Sequence, residues 1–317
     1  MYFSWKYVKG EPSRSSRWLC ATCVVTAMKD DAKPSQNHAV VRGTIVQIIC
    51  MAIFTQALAY PVGLNKPVAL GLGIQWLVYL PSLALKTERF YDLTGSSTFI
   101  LLATTGFARN GAGFDWHSNW RQLLATGMVV AWAARLGTYL FARVCRVGED
   151  SRFNGVRDNA ARALLFWTVQ GVWTVVTPMA VLMLQAAPPV AERCWWDYAG
   201  GAAWLLGMAI EVAADAQKSA WQAVPTNWGK FIDVGMWSWS RHPNYVGEVL
   251  LWWGVWGVCY GGLRGQPWGW YTLVAPVFVS LLFVYISVPL IEEHADKKWG
   301  GLAEYQAYKR RTRALLY

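Results

Sequence analysis

A cluster of polar residues leads directly into an apolar segment at residues 237–254. Five polar side chains lie within eight residues here: Arg241, His242, Asn244, Tyr245 and Glu248. They carry a guanidinium, an imidazole, an amide, a phenol and a carboxylate. In a helix, Arg241, Asn244 and Glu248 share one face because they recur at i, i+3 and i+7. Arginine can hold a phosphate through two bonds, whereas Asn and Glu offer directional hydrogen bonds to an amide, a ribose or a ring. A carboxylate is costly in hydrocarbon, so the cluster predicts a buried ligand-binding site at a membrane surface.

The simpler interpretation is an interfacial belt, in which Arg241 and His242 meet lipid headgroups and the tryptophans act as anchors. It leaves Glu248 and the turn before Pro243 unexplained, so ligand binding is favoured.

A second polar set comprises Glu211, Asp215 and Lys218, whose spacings of four and three predict one helical face. An ion-pair ladder at a helix end would give the same pattern and contribute only ~0.3–0.5 kcal/mol per pair. Glu211 lies about two turns inside an apolar segment, which favours a polar cavity.

Two further sets stay open between function and local structure. Arg135 and Arg143 precede a loop rich in charge, and clustered arginines suit a polyanionic ligand as well as lipid headgroups; the loop charges are Arg146, Glu149, Asp150 and Arg152. Glu88, Tyr91 and Asp92 fall on one face and could polarise a carbonyl or supply a proton, or could simply form a membrane-edge turn. The tail, with Glu292 and Tyr308, could close over a cofactor or act as a basic anchor.

The elements that must position these residues are apolar helices. Of the 317 residues, 55% are hydrophobic and only 15% charged, which predicts a polytopic all-α membrane protein. We expect a transmembrane helical bundle of about seven to nine spans, with eight segments near the ~20 residues that a bilayer requires, the third being shorter. These segments are 44–64, 68–86, 94–108, 122–142, 163–185, 197–217, 245–263 and 271–291. We expect one integral membrane domain (44–317) after a polar segment (1–43), whose order or disorder stays open.

Charge and motifs narrow the function classes. The net charge of +10 comes from Lys and Arg between the apolar segments, which fits orientation in the membrane and anionic ligands better than nucleic acid. With eight spans, both termini lie on the side of the membrane that holds most of the Lys and Arg, and we expect that side to be the cytosol. No Rossmann, Walker, GxSxG or HExxH pattern occurs, so another fold would hold any nucleotide. The four histidines are dispersed, and Cys20 and Cys23 form a lone CxxC, so no metal site is expected.

At this point the motifs themselves resemble a known family. The string Ser240-Arg-His-Pro-Asn-Tyr-x-Gly-Glu248, preceded by Asp215-Ala-Gln-Lys218, resembles the uncharacterised branch of the steroid 5α-reductase family, as do residues 87–96 and Arg135 to Asp150. The superfamily includes sterol C14 reductases and isoprenylcysteine carboxyl methyltransferases. The resemblance covers about residues 70–313.

The resemblance implies an NADPH-binding cavity that faces the cytosol. Asn244 and Glu248 match residues that hold the nicotinamide end, and Asp215 lines the same cavity. Lys218, Arg241 and His242 would meet the phosphates and adenosine, and Arg143 the 2′-phosphate. The full cofactor set is Arg135, Arg143, Glu211, Asp215, Lys218, Arg241, His242, Asn244, Tyr245, Glu248 and Tyr308. The catalytic candidates are Glu88, Tyr91, Asp92 and Tyr245; the Glu and Tyr that polarise the steroid ketone in the reductases have no clear match.

The resulting hypothesis is hydride transfer from NADPH to the conjugated C=C of a lipophilic enone that enters from the bilayer, with the endoplasmic reticulum as the expected membrane. The main alternative is methyl transfer from S-adenosylmethionine, because the methyltransferase branch shares Arg-His-Pro-x-Tyr-x-Gly, paired glutamates such as Glu292 and Glu293, and Tyr-x-x-Tyr. Asn244, Glu248 and the upstream Asp215-x-x-Lys218 favour reduction. A non-catalytic lipid-binding protein is the third interpretation.

Overall fold

The chain is α-helical throughout the part that the structure describes. The computed structural model describes residues 37–109, 117–147, 153 and 155–315, and in these ranges it contains helices and no strands. The predicted all-α bundle is therefore confirmed. Most of the predicted N-terminal segment (1–43) lies outside the described residues, so the domain boundary stays a prediction.

Eleven α-helices make up the described part of the chain. They are α1 (Asn37–Ala59), α2 (Asn65–Ala84), α3 (Tyr91–Arg109), α4 (Trp120–Val147), α5 (Ala160–Val176), α6 (Met179–Ala186), α7 (Trp195–Ala223), α8 (Pro243–Leu263), α9 (Val274–Leu282), α10 (Val288–Trp299) and α11 (Ala303–Arg311). A π-helical turn, Phe283–Ser287, joins α9 to α10.

The number of spans differs from the prediction of eight. Five helical segments in the described ranges are long and apolar enough to cross a membrane: Gly43–Val62, Asn65–Ala84, Trp120–Cys145, Trp195–Ala223 and Gly269–Trp299. A sixth span results if α5 and α6, bent by 46° at their junction, count as one. The predicted spans 94–108 and 245–263 lie within α3 and α8, which are helical but are not among these five segments. Serine and threonine lower the hydropathy of α3, and the eight-span count is not confirmed.

An aromatic cluster lies at the centre of the bundle and joins four helices. Phe99 of α3 lies edge-on to Trp132 of α4 and Trp173 of α5, with ring centroids 5.0 and 4.7 Å apart. Trp132 also meets Trp252 of α8 at 4.9 Å. Edge-to-face packing suits the ring quadrupoles and fixes the crossing points of the helices.

Helices α7 and α8 approach each other through glycines on both sides. A Cβ at Gly200 would lie 2.7 Å from the Gly254 carbonyl oxygen, and one at Gly207 would lie 2.6 Å from that of Gly247. Small residues at such crossings allow backbones to pack closely, as in other membrane helix pairs. This contact determines which α7 side chains face α8.

Candidate functional site

Arg135 joins the two carboxylates of α7. Its Nη2 lies 2.8 Å from Glu211 Oε1 and 2.7 Å from Asp215 Oδ2, and its Nη1 donates to the same Asp215 oxygen at 3.0 Å. The Glu211 and Asp215 side chains are almost fully buried. The predicted α7 face therefore meets a third charged group from α4, and these three residues form the floor of the candidate site.

Two carboxyl oxygens at this floor have no partner among the described residues. Glu248 of α8 is 6% exposed, and neither its Oε1 nor Glu211 Oε2 makes a hydrogen bond. The buried indole nitrogen of Trp252, one helical turn from Glu248, is also unpartnered, and the indole of Trp132 lies close to Glu211. Buried polar groups in proteins are nearly always hydrogen-bonded, so unpartnered acceptors and donors this close together indicate a place for a polar ligand or water.

Two cations lie at the end of the site toward the C-terminus of α7. Lys218 is half-buried with its ammonium 4.7 Å from the centre of the Trp237 ring, and it forms no ion pair within the described ranges. Arg143, about two turns after Arg135 on α4, lies 3.9 Å from Asp92 and within electrostatic range of Lys218 and Asp215. Cations in this position suit phosphate groups. The predicted loop charges of Arg146, Glu149, Asp150 and Arg152 lie outside the described side chains.

Arg241 has a structural partner that the sequence analysis does not predict. Its guanidinium binds both oxygens of Glu292 at 3.1 and 2.7 Å and donates to the backbone oxygens of Lys309 and Thr312. Its own amide donates to the Arg313 carbonyl at 2.9 Å. Arg241 therefore holds the tail onto the segment before α8. The motif had predicted that this guanidinium binds the phosphates of a cofactor.

His242 shares the same carboxylate. Its Nε2 lies 2.8 Å from Glu292 Oε1, and the ring is buried. Burial lowers the pKa of His242 below its usual value, although the Glu292 carboxylate opposes this shift. The imidazole therefore favours its neutral form and serves the tail contact rather than a free phosphate.

The remaining members of the motif face different neighbours. The Tyr245 ring stacks beside His242, with centroids 5.7 Å apart, and contacts Phe283 at 4.4 Å. Asn244 is half-buried, and its side-chain amide makes no hydrogen bond to the described residues. Tyr308 donates to the Trp237 carbonyl at 2.6 Å, and burial raises the pKa of its phenol. Tyr308 is thus part of the tail contact.

The catalytic candidates around the start of α3 are divided by the fold. Glu88 binds Arg157 through both oxygens at 2.6 Å, and the Tyr91 hydroxyl donates to the Phe166 carbonyl at 2.9 Å. Asp92 alone points to the site, through its contact with Arg143. The structure therefore gives Glu88 and Tyr91 structural contacts and leaves Asp92 near the cations.

The comparisons with known proteins place this geometry in a family. A family model described as a protein of unknown function, DUF1295, matches residues 78–312. The chain belongs to this family. The family is part of a membrane superfamily that resembles the steroid 5α-reductases and related methyltransferases. No curated protein and no solved structure matches the chain. The family match includes α3 to α11, and with them the described residues of the candidate site.

Proposed function

We propose that this protein is an NADPH-dependent membrane oxidoreductase that reduces the conjugated C=C of a lipophilic enone. The observation that carries the proposal is a pair of unpartnered carboxyl oxygens, Glu211 Oε2 and Glu248 Oε1. Two cations, Lys218 and Arg143, lie at the end of the same site. A carboxamide supplies N–H donors for such oxygens, and phosphates attract such cations.

The residues present fit the two ends of NADPH. Glu211 and Glu248 would hold the carboxamide of the nicotinamide, with Asn244 beside them on α8. Lys218 and Arg143 would bind the phosphates, and Asp215 would keep Arg135 oriented. NADPH, when bound, supplies the hydride for the reduction.

The chain's own contribution is orientation, charge and exclusion of water. Arg135 holds Glu211 in a single position through a 2.8 Å ion pair, and the Gly207–Gly247 contact brings Glu248 beside it. Of the four catalytic candidates, Tyr245 lies three residues before Glu248 on α8 and so shares its face. We assign its hydroxyl the role of proton donor to the reduced substrate.

The location of the cations suggests how the two substrates enter. Lys218 and Arg143 lie near the ends of α7 and α4, whereas Glu211 and Glu248 lie deeper in the bundle. NADPH would enter from the side of the cations, which the charge bias assigns to the cytosol, and the lipophilic substrate from the bilayer. We keep both termini in the cytosol and the endoplasmic reticulum as parts of the proposal.

Methyl transfer from S-adenosylmethionine is the second candidate. The same unpartnered carboxyl oxygens favour it, because a carboxylate can bind the ammonium group of that cofactor as well as it accepts from an amide. S-adenosylmethionine carries no phosphate, however, and would leave Lys218 and Arg143 without a role. The two candidates therefore differ in the cations they require.

The direct test is isotope transfer. The purified protein is incubated with NADPH deuterated at the transferring carbon and with a panel of enones: a steroid, an isoprenoid and an acyl chain. The proposal expects one deuterium in the reduced product, strong loss of turnover in Glu248→Gln and normal turnover in the control Glu304→Gln, an exposed residue of α11. Methyl transfer to a lipid acceptor without any deuterium transfer would replace this proposal by the second candidate, and sterol binding without either reaction would favour a binding protein.

A further inference from the structure

A second group of unpartnered polar atoms lies at the opposite end of α4. Gln122, in the first turn of that helix, is fully buried, and neither its Nε2 nor its Oε1 has a hydrogen-bond partner among the described residues. It lies about 20 Å along the helix from Arg135. This amide is therefore separate from the candidate active site and has no role in the function proposed above.

A second buried amide, that of Gln185, is linked to Gln122 through Thr126. Gln185 of α6 is 2% exposed, and its Nε2 donates to Thr126 Oγ1 and to the Ala103 carbonyl, both at 2.8 Å. Its Oε1 has no partner among the described residues. Thr126 lies one turn after Gln122 on α4 and donates to the Gln122 backbone oxygen at 2.7 Å. Thr126 thus brings the two amides to the same side of the helix.

The Gln185 amide lies against a glycine of α3. Gly106 of α3 is half-buried, and a Cβ there would collide with Gln185 Oε1. The absence of a side chain at Gly106 lets the amide oxygen pack directly against the backbone of α3.

The unpartnered atoms define the chemistry of the ligand. They comprise two acceptors, Gln122 Oε1 and Gln185 Oε1, and one donor group, Gln122 Nε2. A hydroxyl can accept from the Gln122 amide nitrogen and donate to one of the two oxygens. A ketone would satisfy the donor and leave both acceptors unpaired.

The depth of the amides favours a lipid alcohol. The candidate span begins at Trp120, and the buried Arg121–Asp197 ion pair lies beside Gln122, so this turn of α4 marks one end of the apolar segment. Tryptophans and arginines typically mark the membrane–water interface. The hydroxyl of an amphiphilic lipid lies at this depth, with its hydrocarbon directed into the bilayer. We propose that Gln122 and Gln185 form a second polar site, which binds the hydroxyl group of a lipophilic alcohol.

The test compares an alcohol with its ether. Equilibrium binding of tritiated geranylgeraniol to the full-length protein in detergent is measured in competition with unlabelled geranylgeraniol and with its methyl ether, which has the same hydrocarbon but no O–H donor. The site predicts that the alcohol competes about tenfold better than the ether, the difference expected from one net hydrogen bond. No cofactor is present, so the result does not depend on the proposed reductase activity.

Two variants assign the effect to the amides. Gln122→Leu removes an amide that has no partner and should fold at least as well as the natural protein, while the preference for the alcohol disappears. Gln56→Leu, on α1, alters a glutamine that already bonds Asn65 at 2.6 Å and should keep the preference. Absence of alcohol binding, equal competition by the ether, or a preference that survives Gln122→Leu would each overturn the proposal and leave the amides to buried water.

Discussion

Gly247 of α8 lies directly against the backbone of Glu211 on α7. A Cβ at Gly247 would lie 2.7 Å from the Glu211 amide nitrogen and 3.1 Å from its Cα. No ordinary side chain fits this space, and the contact places Glu248, the next residue, beside the Glu211–Arg135 ion pair. The acidic floor of the candidate site is therefore a consequence of glycine packing between α7 and α8.

Gly247→Ala should separate these helices and weaken both the fold and the site. Overpacking of a tight contact typically costs about 1–3 kcal/mol. Gly201→Ala on α7 is the matched control, because a Cβ there meets nothing within 4 Å and alanine favours a helix. Thermal unfolding in detergent measures both variants. Equal stability of Gly247→Ala and Gly201→Ala would show that the two helices are free to move apart.

The ion pair at the other end of α7 should be essential for stability. Arg121 binds both oxygens of Asp197 at 2.7 and 2.8 Å, and both side chains are almost fully buried. Arg121→Ala leaves a buried carboxylate unpaired, which costs about 3–5 kcal/mol. The exposed pair of Lys86 and Asp158 is the control, and Lys86→Ala should leave the melting temperature unchanged. The double variant Arg121→Met/Asp197→Leu should recover most of the loss; failure to do so would mean that the contacts of Arg121 to backbone carbonyls matter more than the charge pair.

Arg241→Ala should loosen the tail rather than abolish cofactor binding outright. The variant leaves Glu292 with only His242 and Lys309 as partners and removes the bonds to two tail carbonyls, so the expected loss is about 1–3 kcal/mol. Limited proteolysis should then cut the chain within or after α11. Arg311→Ala breaks an exposed pair with Asp233 and a cation–π contact with Tyr308 at 5.7 Å, and it should leave the tail protected. A tail that stays resistant in Arg241→Ala would contradict the structural role.

His242 should make stability depend on pH in mildly acidic conditions. Burial lowers its pKa below the usual 6.5, so the unfolded chain binds a proton more readily than the folded one. The contribution of His242 to stability is therefore complete above the unfolded pKa and is lost as the pH falls below it toward the folded value. Melting temperatures at about pH 7.5 and 5.5 should show a smaller decrease in His242→Gln than in the natural protein. An identical decrease in both would assign the pH dependence to other groups.

The sequence predicts helix faces well and contacts between distant segments poorly. The spacing of Glu211, Asp215 and Lys218 correctly placed them on one face of α7, since this periodicity is local. The partner of Glu211 and Asp215 is Arg135, about eighty residues earlier in the chain, and only the packing of α4 against α7 reveals it. The sequence indicates Glu292 only as a member of the tail and of a glutamate pair, and its contact with Arg241 likewise depends on how the tail folds back.

Hydropathy read from the sequence predicts eight spans, a number that the five or six candidate spans of the described helices do not confirm. The segments 94–108 and 245–263 are helical, but α3 carries threonines and serines that bond within the bundle, and α8 carries Glu248 and many glycines. Thr98, for example, donates to the Thr94 carbonyl and accepts from Gln75. The role of Glu88 was equally hidden, because its partner Arg157 follows a loop whose path the sequence does not predict.

The central claim is that the cations beside Glu211 and Glu248 bind a phosphate-bearing cofactor. The thermal stability of the detergent-purified protein, measured with NADPH, NADH or S-adenosylmethionine, tests it most directly. A ligand at a hundredfold excess over its dissociation constant adds about 2.7 kcal/mol to the stability of the folded state. We predict that NADPH stabilises the protein and that NADH does so less. The NADPH effect should be mostly lost in Lys218→Met and retained in Lys230→Met, which alters an exposed lysine. Stabilisation by S-adenosylmethionine alone, or an NADPH effect that Lys218→Met leaves intact, would contradict the account.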